Sequence, residues 1–316
     1  MRKSLLTVIL VAAACSPGET TASSTTSSLA ATTTTTGQAT TTISAPVTTS
    51  STMATTTTRP ASTTTSELLE GNWADEPLVT TAFGALGWWD GSGWLDAETE
   101  GALPVVGGED YQVIRLGQLD ITTAGSQTIV CPPLDVIGVE LADPELLGEF
   151  PGPYGVAISA PWPLQPHLFE EVDDDGTYAG FANELLSDRG LDVPDPVIKQ
   201  LFRTDLEDDG THEVLVVAED VTPGFLLEAG DYSIFFMRKV IEGEVQTAIL
   251  GDTVVLDESD QFGALHSIGG VADLNGDARM EVIANLAYFE GFAVAVWEYV
   301  DDDLGPVVAL ETGCGS

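Results

Sequence analysis

A ten-residue acidic phrase occurs twice in this chain and constrains its fold more than any other stretch. The first copy is Asp205-Leu206-Glu207-Asp208-Asp209-Gly210-Thr211-His212-Glu213-Val214. The second is Asp273-Leu274-Asn275-Gly276-Asp277-Ala278-Arg279-Met280-Glu281-Val282. The pairs Asp205/Asp273, Leu206/Leu274, Asp209/Asp277, Glu213/Glu281 and Val214/Val282 are identical. Both copies put oxygen-bearing side chains at loop positions 1, 3, 5 and 9. A hard cation such as Ca²⁺ takes six to eight oxygens, and a tight loop with alternating oxygen ligands supplies several of them from one short segment.

Each phrase lies between β-rich runs. Residues 197–204 enter the first loop and 213–218 leave it. Residues 232–241 and 245–250 then read as a hairpin around Glu242-Gly243-Glu244. Residues 265–272 enter the second loop and 281–288 leave it, and 292–300 and 306–310 form a hairpin around 301–305. Each unit is thus strand, acidic loop, strand, hairpin, and the two loops begin 68 residues apart. Such spacing signals a structural repeat.

The pattern Asp-x-Asn-x-Asp-Gly-x-x-Asp/Glu followed by a hydrophobic strand resembles the VCBS and FG-GAP repeats, and the resemblance covers residues 197–310. It implies four-stranded blades, each with a Ca²⁺ loop, of the kind found in seven-bladed propellers on cell-surface proteins. By position it implies Asp273, Asn275, Asp277, the Arg279 carbonyl and Glu281 as ligands in the second copy. In the first copy it implies Asp205, Glu207, Asp209, the Thr211 carbonyl and Glu213. Two positions depart from the family. Glu207 is longer than the usual Asp or Asn, and Ala278 replaces a glycine that takes positive φ, at a cost of about 1–2 kcal/mol. Val216 and Ala284 stand where an EF-hand would place its bidentate Glu, so a helical EF-hand is not expected. A pair of metal-free acidic turns, closed by side-chain-to-backbone bonds, is the other reading.

Two units are too few to close a propeller. The expected fold is α+β, mainly antiparallel: two four-stranded blade-like repeats (partially β-propeller-like), an N-terminal β-rich region and one helix. Within residues 67–195, runs 111–119 and 126–130 read as strands around a turn at 122–125, and 135–141 and 154–158 as two more. Asp90-Gly91-Ser92-Gly93 between aromatic runs reads as a hairpin turn. The helix spans roughly 178–188, with Phe181, Leu185 and Leu186 near one face and Gly190 as its stop. Asp173-Asp174-Asp175-Gly176 mimics the acidic phrase but has Ala179 at the last ligand position, and reads as the turn into that helix.

The start of the chain reads as an address. Arg2 and Lys3 precede an apolar run over 5–14 that ends Ala12-Ala13-Ala14-Cys15. Small residues before a cysteine resemble the lipobox of bacterial lipoproteins. That implies a signal peptide over 1–15, acylation of Cys15 and a lipid anchor on the extracytoplasmic face of the cell membrane. Residues 16–66, mostly Thr, Ser and Ala, read as a disordered linker, and 67–195 and 196–316 as two parts of one globular domain. Of 50 acidic and 10 basic side chains, all but Glu19, Arg2, Lys3 and Arg59 lie beyond the linker. A surface of that sign repels nucleic acid and attracts cations. Cys131 and Cys314 remain as the pair for one disulfide in an exported domain.

No G-x-S-x-G elbow, P-loop or H-E-x-x-H is present, and His167, His212 and His266 show no zinc-site spacing. The reading is a non-enzymatic surface lipoprotein that binds an unidentified protein or glycan partner. The alternative is a carbohydrate-active enzyme or glycan binder using Trp88, Trp89 and Trp94 as a stacking platform.

Overall fold

A computed structural model describes residues 68–315, apart from 101, 132–134, 150–151, 175, 225, 242, 258, 260 and 299–306. Cys15, the lipobox-like stretch and the linker therefore lie outside the described residues. In chain order the elements begin with β1 (Leu78–Thr81), β2 (Gly84–Trp89), β3 (Trp94–Asp96) and a short helix α1 (Ala97–Glu100). They continue with β4 (Asp110–Arg115), β5 (Gln118–Val130), β6 (Val136–Leu141), β7 (Val156–Ile158), β8 (Phe169–Glu171) and the helix α2 (Thr177–Asp188). The first repeat supplies β9 (Ile198–Thr204), β10 (Glu213–Asp220), β11 (Tyr232–Ile241) and β12 (Glu244–Val254). The second supplies β13 (Leu265–Ala272), β14 (Glu281–Tyr288), β15 (Gly291–Glu298) and β16 (Val307–Gly315).

The fold is mostly antiparallel β, in three sheets. The N-terminal sheet has the order β3-β2-β1-β7-β4-β5-β6 and curls into half a barrel. Gly84 marks the closest approach of its two arms. A Cβ there would lie 2.5 Å from Val136 Cγ1 and 3.0 Å from the Ile137 carbonyl oxygen, so β2 and β6 nearly touch and only glycine fits. The stretch around each copy of the acidic phrase, for which the word repeat refers to the sequence, is a meander whose strands pair in sequence. The first, β12-β11-β10-β9, adds β8 at its edge, and the second is β13-β14-β15-β16. In both, the acidic phrase joins the first strand to the second.

Strand alternation explains the packing. In β10, Leu215 and Val217 face one core while Val214, Val216 and Ala218 face another. The second face is covered by α2 through Ala182 and Leu186. The first face meets Ile268, Val271, Met280 and Val282 of the second repeat. The other side of that repeat, with Ile283, Val294 and Leu310, packs on Phe83, Leu86, Ile114 and Ile158 of the curled sheet. The layers therefore run α2, first repeat, second repeat, curled sheet. Both repeats are buried on two faces.

The expected turn at 122–125 is not there. The chain turns at Leu116 and Gly117, both at positive φ, and β5 runs on through 122–125 with a register shift between Ala124 and Gln127. The bulge absorbs the glycine that read as a turn signal. Helix α2 forms where expected. The Asp174 carboxylate accepts the backbone N–H groups of Tyr178 (3.1 Å) and Ala179 (3.0 Å), and Gly190 stops the helix at φ 93°. Trp89 pairs with Trp94 across the Asp90 hairpin. Cys131, just after β5, and Cys314, in β16, lie at disulfide distance with Cα atoms 5.7 Å apart.

Candidate functional site

The two acidic loops fold by one scheme. Both carry two left-handed residues at the same places: Asp208 (φ 52°) and Gly210 (φ 79°) in the first, Gly276 (φ 81°) and Ala278 (φ 67°) in the second. Each loop thus has a glycine at one of the two positions and a strained residue at the other. The position-1 carboxylate closes the turn. Asp205 accepts the N–H of Asp209 (3.2 Å) and Gly210 (3.0 Å), and Asp273 accepts those of Gly276 (2.7 Å) and Ala278 (3.0 Å). The position-5 carboxylates repeat one bond: Asp209 accepts the Thr211 N–H, and Asp277 accepts the Arg279 N–H at 2.8 Å. At position 9, Glu213 accepts the Leu206 N–H (2.9 Å) and Glu281 the Leu274 N–H (2.6 Å). These glutamates are 0% and 1% exposed.

Gly276 takes positive φ, and a Cβ there would also press on the Trp162 ring at 3.2 Å. Gly210, the counterpart of Ala278 in the first loop, has nothing within 4 Å of an added Cβ. Ala278→Gly is therefore expected to stabilise the domain by about 1 kcal/mol, the left-handed cost less the extra unfolded-state entropy of glycine. Thermal unfolding should read a rise of about 2–4 °C. An unchanged or lower midpoint would mean that the loop holds Ala278 without strain.

The loops touch. The Met280 N–H donates to the Leu206 carbonyl (2.8 Å), joining one loop to the other. Residues 162–167, between β7 and β8, lie across both. Trp162 Nε1 donates to the Asp273 carbonyl (2.9 Å), His167 Nε2 lies 3.2 Å from the Ala278 carbonyl, and His167 Nδ1 lies 3.9 Å from Asp208 Oδ1. Neither residue belongs to the repeat pattern, and no local signal in their proline-rich segment marks them. His212 is exposed, and His266 is buried against Gly251 of β12, its backbone N–H donating to the Ser233 hydroxyl at 2.9 Å.

The electrostatics of the two loops differ. Burial pushes Glu281 well above the usual carboxylate range, the Leu274 N–H opposes this, and the charges of Asp273, Asp277 and Glu298 push it further. Burial also raises Asp273 to about 6, against the N–H groups of Gly276 and Ala278, and Asp277 adds to the rise. In the first loop burial raises Glu213 to about 7. The Leu206 N–H and the Lys239 ammonium act against it, and Glu207 acts with it. Lys239 Nζ forms a buried ion pair with Glu207. At the same place in the second loop, Asn275 Nδ2 donates to Glu298 Oε1 at 3.1 Å.

A Ca²⁺ ion needs oxygen ligands and compensation of charge. The second loop fits by its donor chemistry: Asp273, Asn275, Asp277, the Arg279 carbonyl and Glu281 are the expected set, and the main influences on its raised carboxylates are burial, loop N–H groups and other carboxylates. Carboxylate oxygens that accept a loop N–H keep a second lone pair for a cation. In the first loop Glu207 is already paired with an ammonium. Among the described residues no three acidic, imidazole or thiol groups are preconverged as a metal cage.

The three tryptophans of the alternative reading differ in burial. Trp88 is buried, and Trp89 and Trp94 are half-buried with ring centroids 5.2 Å apart at 67°. Trp94 also packs against the core between the curled sheet and the second repeat. No protein-family model, curated protein or solved structure matches this chain.

Proposed function

We propose that this chain is a non-enzymatic surface lipoprotein, anchored through Cys15, whose β domain is steadied by Ca²⁺ at acidic loops of the VCBS/FG-GAP kind. The domain then serves as a rigid binding or structural module for a protein or glycan partner on the extracytoplasmic face. One observation carries the reading. Two loops 68 residues apart adopt the same hydrogen-bond scheme at the same joint of two four-stranded meanders. Such meanders, stacked face to face, are what blade-like repeats require. The carboxylates at the second loop raise one another, and a bound cation would remove that repulsion and hold Asp273, Asp277 and Glu281 in place.

The test is thermal unfolding in EGTA, Ca²⁺ or Mg²⁺ at fixed high ionic strength, so that general screening of the −40 charge is constant. At a hundredfold excess over Kd, Ca²⁺ is expected to add about 2.7 kcal/mol, or about 5–10 °C for a domain of this size. Mg²⁺ should add less, because it demands a smaller octahedral shell. Asp273→Ala should remove the Ca²⁺-specific part. Equal effects of the two ions, with Asp273→Ala responding like the parent, would reduce the loops to acidic turns.

A further inference from the structure

We propose that Lys239 is the resident cation of the first acidic loop: its ammonium does there what a divalent ion would do, so that this loop folds without metal and divalent binding is confined to the second.

The argument begins with register. Val214 pairs with Arg238 in the first meander, and Val282 pairs with Trp297 in the second. Lys239 and Glu298 each follow by one residue, so they hold the same position opposite the matching glutamates Glu213 and Glu281. Each meets the position-3 side chain of its own loop, Glu207 for Lys239 and Asn275 for Glu298. The contact is the same and its polarity is inverted. Where the first loop has a carboxylate at position 3 and an ammonium on the strand, the second has an amide and a carboxylate.

The surroundings of the ammonium show what it compensates. Glu213 Oε1 and Glu207 Oε2 are buried with no hydrogen-bond partner. Glu213 is fully buried and Glu207 nearly so. Two buried carboxylate oxygens without donors need positive charge nearby, and Lys239 supplies it to both, directly on Glu207 and through the field on Glu213. The chain has three lysines in all, and this one is 6% exposed. Lysine is almost never that buried without a partner that requires it. The departure at Glu207 acquires a reason: a carboxylate at position 3 meets the Lys239 ammonium of the third strand, where the Asn275 amide instead donates to the Glu298 carboxylate.

The second half rests on the reading of the second loop as a Ca²⁺ site, and the experiment separates the two. Ca²⁺ binding to the full chain is measured by calorimetry at high ionic strength, and stability is measured in EGTA. The parent should bind one Ca²⁺ per chain. Lys239→Met should lower the melting temperature in EGTA by about 10 °C. Adding Glu207→Gln to it should recover most of that loss, which separates charge from packing. Lys239→Glu, which gives the first loop the polarity of the second, should raise the Ca²⁺ count from one to two. Glu298→Lys should bind none and should be stable in EGTA. Two Ca²⁺ per parent chain, or a Lys239→Met variant as stable as the parent in EGTA, overturns the proposal. A parent that binds no Ca²⁺ defeats the second-loop reading and the confinement with it, while the EGTA stabilities still decide the role of Lys239.

Discussion

Replacing Cys131 or Cys314 by serine is expected to lower the stability of the domain by about 5 kcal/mol. The two cysteines are 183 residues apart in sequence and 5.7 Å apart at Cα. In the chain-entropy model a closed loop of that length restricts the unfolded ensemble by about 5 kcal/mol at 25 °C. The location makes the loss structural too. Cys131 follows the long strand β5 of the curled sheet, and Cys314 lies near the end of β16, the last strand of the second repeat. Phe292 pairs with Cys314, and Cys314 packs at the rim of the core between those two sheets. The bond therefore ties the last strand to the first sheet. Urea denaturation of oxidised parent and serine variant should show a lower midpoint, and reduction of the parent should reproduce it. Heating should show a drop of about 10–20 °C. A loss under about 1 kcal/mol would mean that the apolar interface alone holds β16.

What could be read from the sequence, and what could not, follows from range. The acidic phrase was legible because its chemistry is local: Asp205 and Asp273 bond to N–H groups within five residues of themselves. Helix α2 was legible because its start and stop signals lie next to it in sequence, Asp174-Asp175-Gly176 before it and Gly190 after it. The cysteine pairing was legible by elimination. The strand β7 was readable as an apolar run, but nothing in Val156-Ala157-Ile158 says that it inserts between β1 and β4. Trp162 and His167 reach loop two across 111 residues each, and such contacts leave no local trace. Lys239 is the sharpest case. It sits within a strand, where its charge reads as one more outward-facing position, and its partner Glu207 reads as an imperfect metal ligand. Only the pairing of β10 with β11 brings the two together. The misplaced turn at 122–125 has the same origin, because a glycine in a bulge and a glycine in a turn look alike until the partner strand is known.

Leu206→Ala and Leu274→Ala are each expected to cost about 3–5 kcal/mol, the range for a fully buried leucine whose cavity does not collapse. Both side chains are 0% exposed although they belong to surface loops. The reason is the loop itself. The residue after the first Asp is turned inward, its N–H is held by the glutamate at position 9, and its side chain plugs the gap between two sheets. The gaps differ. Leu206 enters the core between the two repeats, beside Met280 and Val282, and Leu274 enters the core between the second repeat and the curled sheet, beside Phe83 and Leu164. Similar losses of stability should therefore come with different effects on Ca²⁺. Leu274→Ala loosens the base of the loop read as the cation site, and should weaken Ca²⁺ binding as well as folding. Leu206→Ala loosens a loop held by Lys239, and should leave Ca²⁺ affinity near that of the parent. Urea midpoints together with Ca²⁺ titrations of the two variants decide this. Losses below about 1 kcal/mol would deny that the leucines carry the sheet contacts. An equal loss of Ca²⁺ affinity in both would mean that the two loops, joined through the Leu206 carbonyl and the Met280 N–H, bind cation as a single unit.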